Sequence, residues 1–499
     1  MKYLRTILFL LLMITTGIGQ SKIGVFDNNT DIGNCKNIGT ATYNSEEQTY
    51  TISGSGANMW YGNDEFHYLW TTLQGDFILR AEVEFIGKGV NAHRKVGWIV
   101  KNHLDNNSPH VNATVHGDGL TSMQYRKKVG ENTEELVSND SAPSVIQLER
   151  IGNKFIMSTA RFGEEFTSVQ LDSMPMDKEI YAGIYVCSHD TDAIETAVYR
   201  NVRIITPVEP EFIPYSDYIG SNLELMDVET GHRKILYRSA HSIQAPNWTP
   251  DGKTLIYNSK GHLYKYNLET GSIGHMNTGF AVNNNNDHVL TFDGKLMGIS
   301  HHNANDNGNS TIYYIPVEGD STPVAVTKPG VGASYLHGWS PDNKTMIFTG
   351  DRKGQYDIYA VDVESGKETQ LTNQKTLDDG SEFCPDGNYI FFNSVRTGTM
   401  KLWRMDADGK NQTQLTFDGY NDWFPHVSPD MKWIVFISFP KDIDPGSHPF
   451  YKHCLLRIMP YQGGKPKVIG YIYGGQGSIN VPSWSPDSKK ISFVSNSKM

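Results

Sequence analysis

Cysteine is nearly absent: Cys35, Cys187, Cys384 and Cys454 are the four in 499 residues. That is too few for a disulfide framework, and none has zinc-site spacing. Cys35 and Cys187 are the pair that could bridge within the N-terminal part, whereas Cys384 stands in the serine place of a repeated turn and reads as a packed side chain. No run of Lys or Arg stands out and the formal net charge is −11, which makes nucleic acid and anionic membrane surfaces poor partners on the mean field. No Gly-x-Ser-x-Gly elbow occurs and no α/β segment follows the last repeat, so a prolyl-peptidase is excluded. A phosphate-binding Gly-rich loop and a His-Glu-x-x-His helix are likewise missing.

The N-terminus has the layout of an export leader. Lys2 and Arg5 precede an apolar run from Ile7 to Ile14, and Gly17-Ile18-Gly19 supplies small residues for cleavage near Gly19. That run is too short to span a bilayer, no other segment approaches the length, and no integral membrane segment is expected. No cysteine follows the run until Cys35, so a lipid-anchored start is not indicated. A leader over 1–19 and a periplasmic or secreted product are expected.

The C-terminal part repeats itself. Turn copies read Trp248-Thr249-Pro250-Asp251-Gly252, Trp339-Ser340-Pro341-Asp342, Phe383-Cys384-Pro385-Asp386-Gly387, Val427-Ser428-Pro429-Asp430 and Trp484-Ser485-Pro486-Asp487, with a degenerate Leu290-Thr291-Phe292-Asp293-Gly294. Strand copies such as Ile358-Tyr359-Ala360-Val361-Asp362 and Leu402-Trp403-Arg404-Met405-Asp406 alternate with them. A strand-only repeat of about 40 to 50 residues means stacked four-stranded blades around a channel. The first strand copy, Leu223-Glu224-Leu225-Met226-Asp227, has no turn before it, and the turn at Pro486 has no strand copy after it. Six blades are therefore expected, the last closed by pairing strands near residue 220 with the C-terminus. These motifs resemble the Trp-Ser-Pro-Asp-Gly repeats (PD40 repeats) of the TolB-like six-bladed β-propellers over roughly residues 215–499. The resemblance implies fold and leaves function open, because such repeats serve peptidases, lyases and non-catalytic docking platforms alike.

Residues 20–206 lack the repeat but alternate like strands: Phe77, Leu79, Ala81, Val83 and Phe85 against Ile78, Arg80, Glu82 and Glu84. Gly75-Asp76-Phe77 and the closing Tyr199-Arg200-Asn201-Val202-Arg203-Ile204 resemble concanavalin-like or laminin-G-like jelly-roll sandwiches, which often bind glycans. Trp60, Tyr61, Trp70 and Trp98 are read first as core aromatics and alternatively as stacking platforms. The expected architecture is thus all-β: a jelly-roll β-sandwich over 20–206, a Pro-rich linker over 207–218 and a six-bladed β-propeller over 219–499.

In a propeller the Ser-Pro-Asp turns share one face, and their aspartates form the turns. The propeller histidines gather on the opposite face. His288, His337 and His426, with Glu382, stand one or two residues before the repeat's aromatic position in four blades. Three imidazoles and a carboxylate suit a divalent ion such as zinc, manganese or calcium, and His288, His337, Glu382 and His426 are the expected ligands. His301 and His302 lie nearby, and Trp423 precedes His426. Arg352 and Arg396, in equivalent hairpins, are expected either to clamp an acidic sugar or to serve the scaffold. Tyr335 stands ready as acid or base, and Asp379, Glu382 and Asp422 are the carboxylates for hydrolysis. The insertion from Pro440 to Pro449 suits a lid or specificity wall. Two functions follow: a carbohydrate-active enzyme, lyase or hydrolase, acting on acidic poly- or oligosaccharide, or a non-catalytic TolB-like platform binding glycan or protein.

Overall fold

The computed structural model describes residues 22–499, so the leader expected at 1–19 lies outside it. Strands between Asn28 and Ile205 build two seven-stranded antiparallel sheets. Period-two alternation decides their packing: Phe77, Leu79, Ala81 and Val83 of one sheet and Leu69, Val96, Trp98 and Ile184 of the other enter a single buried cluster. The hairpin Val145–Ile151 with Lys154–Ala160 pairs through all seven positions. Trp98 is a fully buried core residue, while Tyr61 is exposed. Cys35 and Cys187 are free thiols, with Cys35 turned to the Ile32 and Ser55 carbonyls and Cys187 to that of Gly56. The bridge envisaged between them is therefore not made.

Strands from Gly220 onward form six further sheets, five of them four-stranded in chain order. Their inner strands are Gln244–Trp248, Asn284–Leu290, Ser334–Trp339, Asp378–Phe383 and Asn421–Val427. Each repeated turn is held by its own side chains. Ser340 Oγ donates to Asp342 Oδ1 at 2.6 Å, and that oxygen accepts the Lys344 amide at 3.2 Å. Ser428–Asp430 and Ser485–Asp487 repeat the contact, and Cys384 keeps it through sulfur. The sixth sheet pairs the C-terminal strand Lys490–Ser497 with Gly220–Asp227 over eight residues, and Arg233–Ser239 lies outside. Among the described residues no helix is long and apolar enough to cross a membrane.

The two parts of the chain share a polar, buried contact. Glu224 accepts Arg203 at 2.6 Å and Arg233 at 2.7 Å, and also the hydroxyl of Ser495 on the C-terminal strand. Arg80, on the outward face of its strand, reaches Gln147 and the Tyr471 carbonyl, and Phe166 stacks on Tyr471 at 4.1 Å. The alternation that buries Leu79 thus delivers Ile78 and Arg80 to the propeller side, and both are buried there.

Candidate functional site

Every inner strand of the five four-stranded blades carries a β-bulge near its top. A bulge adds an unpaired residue and resets which side chains face the channel. In Asn284–Leu290 the disruption is larger: Asn284 faces His301 and His288 faces Ile299, so four steps on one strand match two on the other. Gly380 shows why the fourth blade needs glycine at its bulge. Its φ is +63°, and a Cβ there would lie 2.2 Å from Asn393 Oδ1.

The bulges and entry loops frame a funnel of about 960 Å³ on the face opposite the Ser-Pro-Asp turns, with residues from all six blades in its wall. At its floor stand Asp287, His337, Asp379 and His448. His337 Nε2 lies 3.0 Å from Asp379 Oδ1, and His448 Nε2 lies 3.9 Å from Oδ2. Asp379 Oδ1 also accepts Thr349 Oγ1 at 2.6 Å and the Gly380 amide at 2.8 Å, which fixes the carboxylate. His337 Nδ1 is buried and has no protein partner. Phe424 lies 6.0 Å from the His337 ring and 5.2 Å from that of His448, and His448 packs edge-on to Trp423.

The floor groups are pushed in opposite directions. Burial pushes the Asp287 carboxyl up to about 6; His337 opposes the rise and Asp379 adds to it. Burial also works to raise Asp379, but the hydrogen bond and charge of His337 hold it down at about 2. Burial alone would lower His337, yet its bond to Asp379 and the charges of Asp287 and Asp379 keep it above its ordinary 6.5. Burial lowers His448, and it pushes Tyr335, higher on the wall, up to about 12.

Of the residues expected at the site, His337, Asp379, Tyr335 and His302 do line this funnel. The metal set does not assemble. His288 is fully buried and points Nε2 at the Ile256 carbonyl of the preceding blade, 3.3 Å away, and burial lowers it to about 4. His426 has both nitrogens engaged, Nδ1 by Glu382 at 2.5 Å and Nε2 by the Ile479 carbonyl at 2.7 Å. Glu382 also accepts the Val427 amide at 3.0 Å and lines a second cavity, on the proline-turn face. His288, His426 and Glu382 thus stitch blade to blade, and only His337 of the four reaches the funnel. The bulges are the reason: one or two residues before the aromatic is not one direction in space.

Five further expected residues stay out of the funnel, and the two arginines follow the scaffold alternative. Arg352 binds Glu368 through two nitrogens at 3.0 and 2.8 Å, donates to three carbonyls and lies over Phe348 and Tyr359. Arg396 bonds Ser394, Gln412 and Asp378 and lies over Trp403. Neither has a free edge for a sugar carboxylate. Asp422 is fully buried against Arg457 at 2.6 Å and Ser438 at 2.8 Å, and Trp423 is fully buried too. His301 accepts the Asn283 amide at 3.3 Å behind the wall.

Asp287, Gln476 and Asn480 were not among the expected site residues, and His448 was anticipated only through the Pro440–Pro449 insertion expected as wall or lid. Asp287 is adjacent to the expected His288, and only the extra bulge residues turn it inward. His448 comes from the Pro440–Pro449 insertion, which supplies funnel wall as well as surface.

Comparison with known proteins places the fold. The family described as the TolB β-propeller domain matches residues 306–444. An uncharacterised protein of Agrobacterium fabrum is 40% identical over 275 residues, 55% of this chain and 92% of that protein. A solved structure from Agrobacterium tumefaciens, of a protein named for TolB, is 39% identical with a TM-score of 0.53, covering 56% of this chain and 99% of the other. The Tol-Pal system protein TolB of Bordetella pertussis is 26% identical over 180 residues, 35% of this chain and 40% of its own length. With six sheets from Gly220 onward and a relative matched over nearly its whole length, the chain belongs to the TolB-like β-propeller family.

Proposed function

We propose that the chain is a carbohydrate-active enzyme that takes a neutral, hydroxyl-rich oligosaccharide into the upper funnel, with Asp287 as base and His337 as acid. One observation carries this reading: a buried floor where Asp287, His337 and Asp379 are pushed to different protonation states beside a free His337 Nδ1. Titratable neighbours driven apart are the mark of acid and base assignments. Asp379, fixed by Thr349 and Gly380, positions the imidazole. In hydrolysis Asp287 takes a proton from the attacking water as its oxygen bonds to the anomeric carbon. The glycosidic C–O bond breaks, and His337 gives its proton to the leaving oxygen.

The wall supports a neutral ligand over an acidic one. Asn258, Asn283 to Asn286, Gln244, Gln476 and Asn480 present amides, with Tyr218, Tyr335 and Tyr356 beside them. Lys260 is the only Lys or Arg in that wall, against two aspartates. A polyuronate would meet negative charge there with no arginine to neutralise it.

We further take the segments over 20–206, 207–218 and 219–499 as a concanavalin-like glycan-holding sandwich, a linker and the catalytic propeller. Pairing of Gly220–Asp227 with Lys490–Ser497 closes the ring. Export to the periplasm or medium follows from the leader expected at 1–19. A second reading, a platform for a protein partner, has its own support. The proline-turn face holds a cavity of about 240 Å³ lined by Trp248, Pro250, Phe292, Pro385, Pro429 and Pro486, an apolar surface suited to a peptide.

The test is an assay of the purified mature chain on neutral and uronate-containing oligosaccharides, read as new reducing ends. Cleavage of a neutral member and sparing of the uronates is expected. Binding without product would leave the platform reading, and cleavage of uronates alone would reverse the assignment of substrate.

A further inference from the structure

A second cluster lies in the N-terminal sheets, far in sequence from the funnel. Lys95–Lys101 is flanked by Glu179–Cys187 on one side and His110–His116 on the other, and the register sets Cys187, Lys95 and His116 in one row. The three chain segments leaving that row must therefore converge. They carry His189, His93 and Asp118. Backbone bonds fix the approach: Gly117 donates to the Arg94 carbonyl at 2.9 Å and Asp118 to that of Ala92 at 2.8 Å. The His93 amide is held by Asn91 Oδ1, and Asn91 Nδ2 donates to the His189 carbonyl at 3.0 Å. His189 itself sits at φ +56°, which turns the chain sharply toward this corner.

The donor atoms are close. One nitrogen each of His93 and His116 and an oxygen of Asp118 lie within 4.8 Å of one another. His93 Nδ1 is 3.6 Å from Asp118 Oδ2, near the roughly 3.3 Å edge of a tetrahedral shell with 2.0–2.1 Å bonds. The His93 ring centroid is 5.9 Å from that of His116 and 5.6 Å from that of His189. Two further facts point to a ligand. Nδ1 of His116 and Nδ1 of His189 are both buried with no hydrogen-bond partner. Gln124 lies 3.2 Å from His116 Nε2, and its Oε1 is also partnerless. With that amide turned, Oε1 accepts Nε2–H and leaves the Nδ1 lone pair of His116 free, the outer-partner arrangement typical of metal-bound histidine.

We propose that His93, His116 and Asp118 form a three-residue site for a zinc-type divalent cation that pins the loop before Lys95 to the turn after His116, its fourth position open to water. Imidazoles with a single carboxylate select a borderline metal over calcium or magnesium, which need several oxygens. Lys95, whose Nζ is held 2.6 Å from Asn58 Oδ1, stands near and opposes a loosely held cation. The site is independent of the reaction proposed for the propeller.

Cobalt(II), which reports tetrahedral coordination by its visible absorption, is the probe. The tag-free full chain is expected to take up one equivalent with an intense visible band, displaced by zinc, and to gain thermal stability on loading. His93→Ala and Asp118→Asn, both at exposed positions and so compatible with folding, should each weaken uptake by more than the roughly 10–100-fold typical of losing an outer partner. His337→Ala should leave the band intact. Absence of the band, its persistence in His93→Ala, or its loss in His337→Ala instead would each overturn the proposal.

Discussion

Replacing His337 by alanine is expected to lower turnover by roughly 10²–10⁴-fold, the range contributed by one positioned proton-transfer group. The ring is held at Nε2 by Asp379, which is itself fixed by Thr349 and the Gly380 amide, so Nδ1 is aimed without a search. Asp379→Asn keeps the volume and removes the charge that holds His337 above its ordinary value. The alkaline limb of the rate profile should then move to lower pH, a displacement that a merely structural carboxylate would not cause. Glu382→Gln serves as the contrast. It loses a buried partner of His426 and should lower the unfolding midpoint, while moving the alkaline limb less than Asp379→Asn does, because Glu382 acts on His337 by charge alone and without a hydrogen bond. A His337→Ala enzyme with near-normal rates would remove the imidazole from the mechanism.

Exchange of Glu224 for glutamine is expected to destabilise the chain by roughly 3–5 kcal/mol, the cost of leaving buried charge unpaired. Arg203 and Arg233 both depend on this carboxylate, and Ser495 joins it from the C-terminal strand. The contact therefore ties the N-terminal sheets to the strand pairing that completes the sixth sheet. Burial alone would raise Glu224 from its ordinary 4.5, but the two guanidiniums outweigh burial and hold it at about 2. With the folded value depressed, its stabilisation is present above about pH 4.5 and is lost as the pH falls toward 2. Urea unfolding at several pH values should show both the loss in the variant and the disappearance of that acid-side slope. An unchanged midpoint at neutral pH would mean that the two parts of the chain do not rely on this contact.

The blades were legible because the turn chemistry is local. Ser340, Asp342 and Thr345 close their turn without help from any other blade, so each copy announces itself. The alternation at Phe77 to Val83 was legible for the same reason. Its other face was not, because burial there depends on neighbours more than 300 residues away in sequence: Tyr471 for Arg80, and the cluster with Phe450, Tyr451 and Tyr473 for Ile78. Of the histidines expected on one face, His302, His337 and His448 line the funnel, whereas His288 and His426 go to blade contacts. A repeat pattern counts residues along a strand, whereas a bulge changes which of them faces inward. Thus His288 went to the preceding blade and Asp287 to the funnel. Arg352 and Arg396 recur because in these two blades the guanidinium covers an aromatic pair, a packing role that only the three-dimensional neighbours reveal.

The pH dependence of kcat/KM for the cleaved oligosaccharide, in the native chain and in Asp287→Asn, tests the account most directly. A bell is predicted, rising near pH 6 as Asp287 ionises and falling above 6.5 as His337 gives up its proton. Asp287→Asn should retain only the falling limb at a reduced rate. A profile flat across roughly pH 5 to 8, or a rising limb that survives the substitution, would contradict the assignment of this funnel floor as the acid–base site.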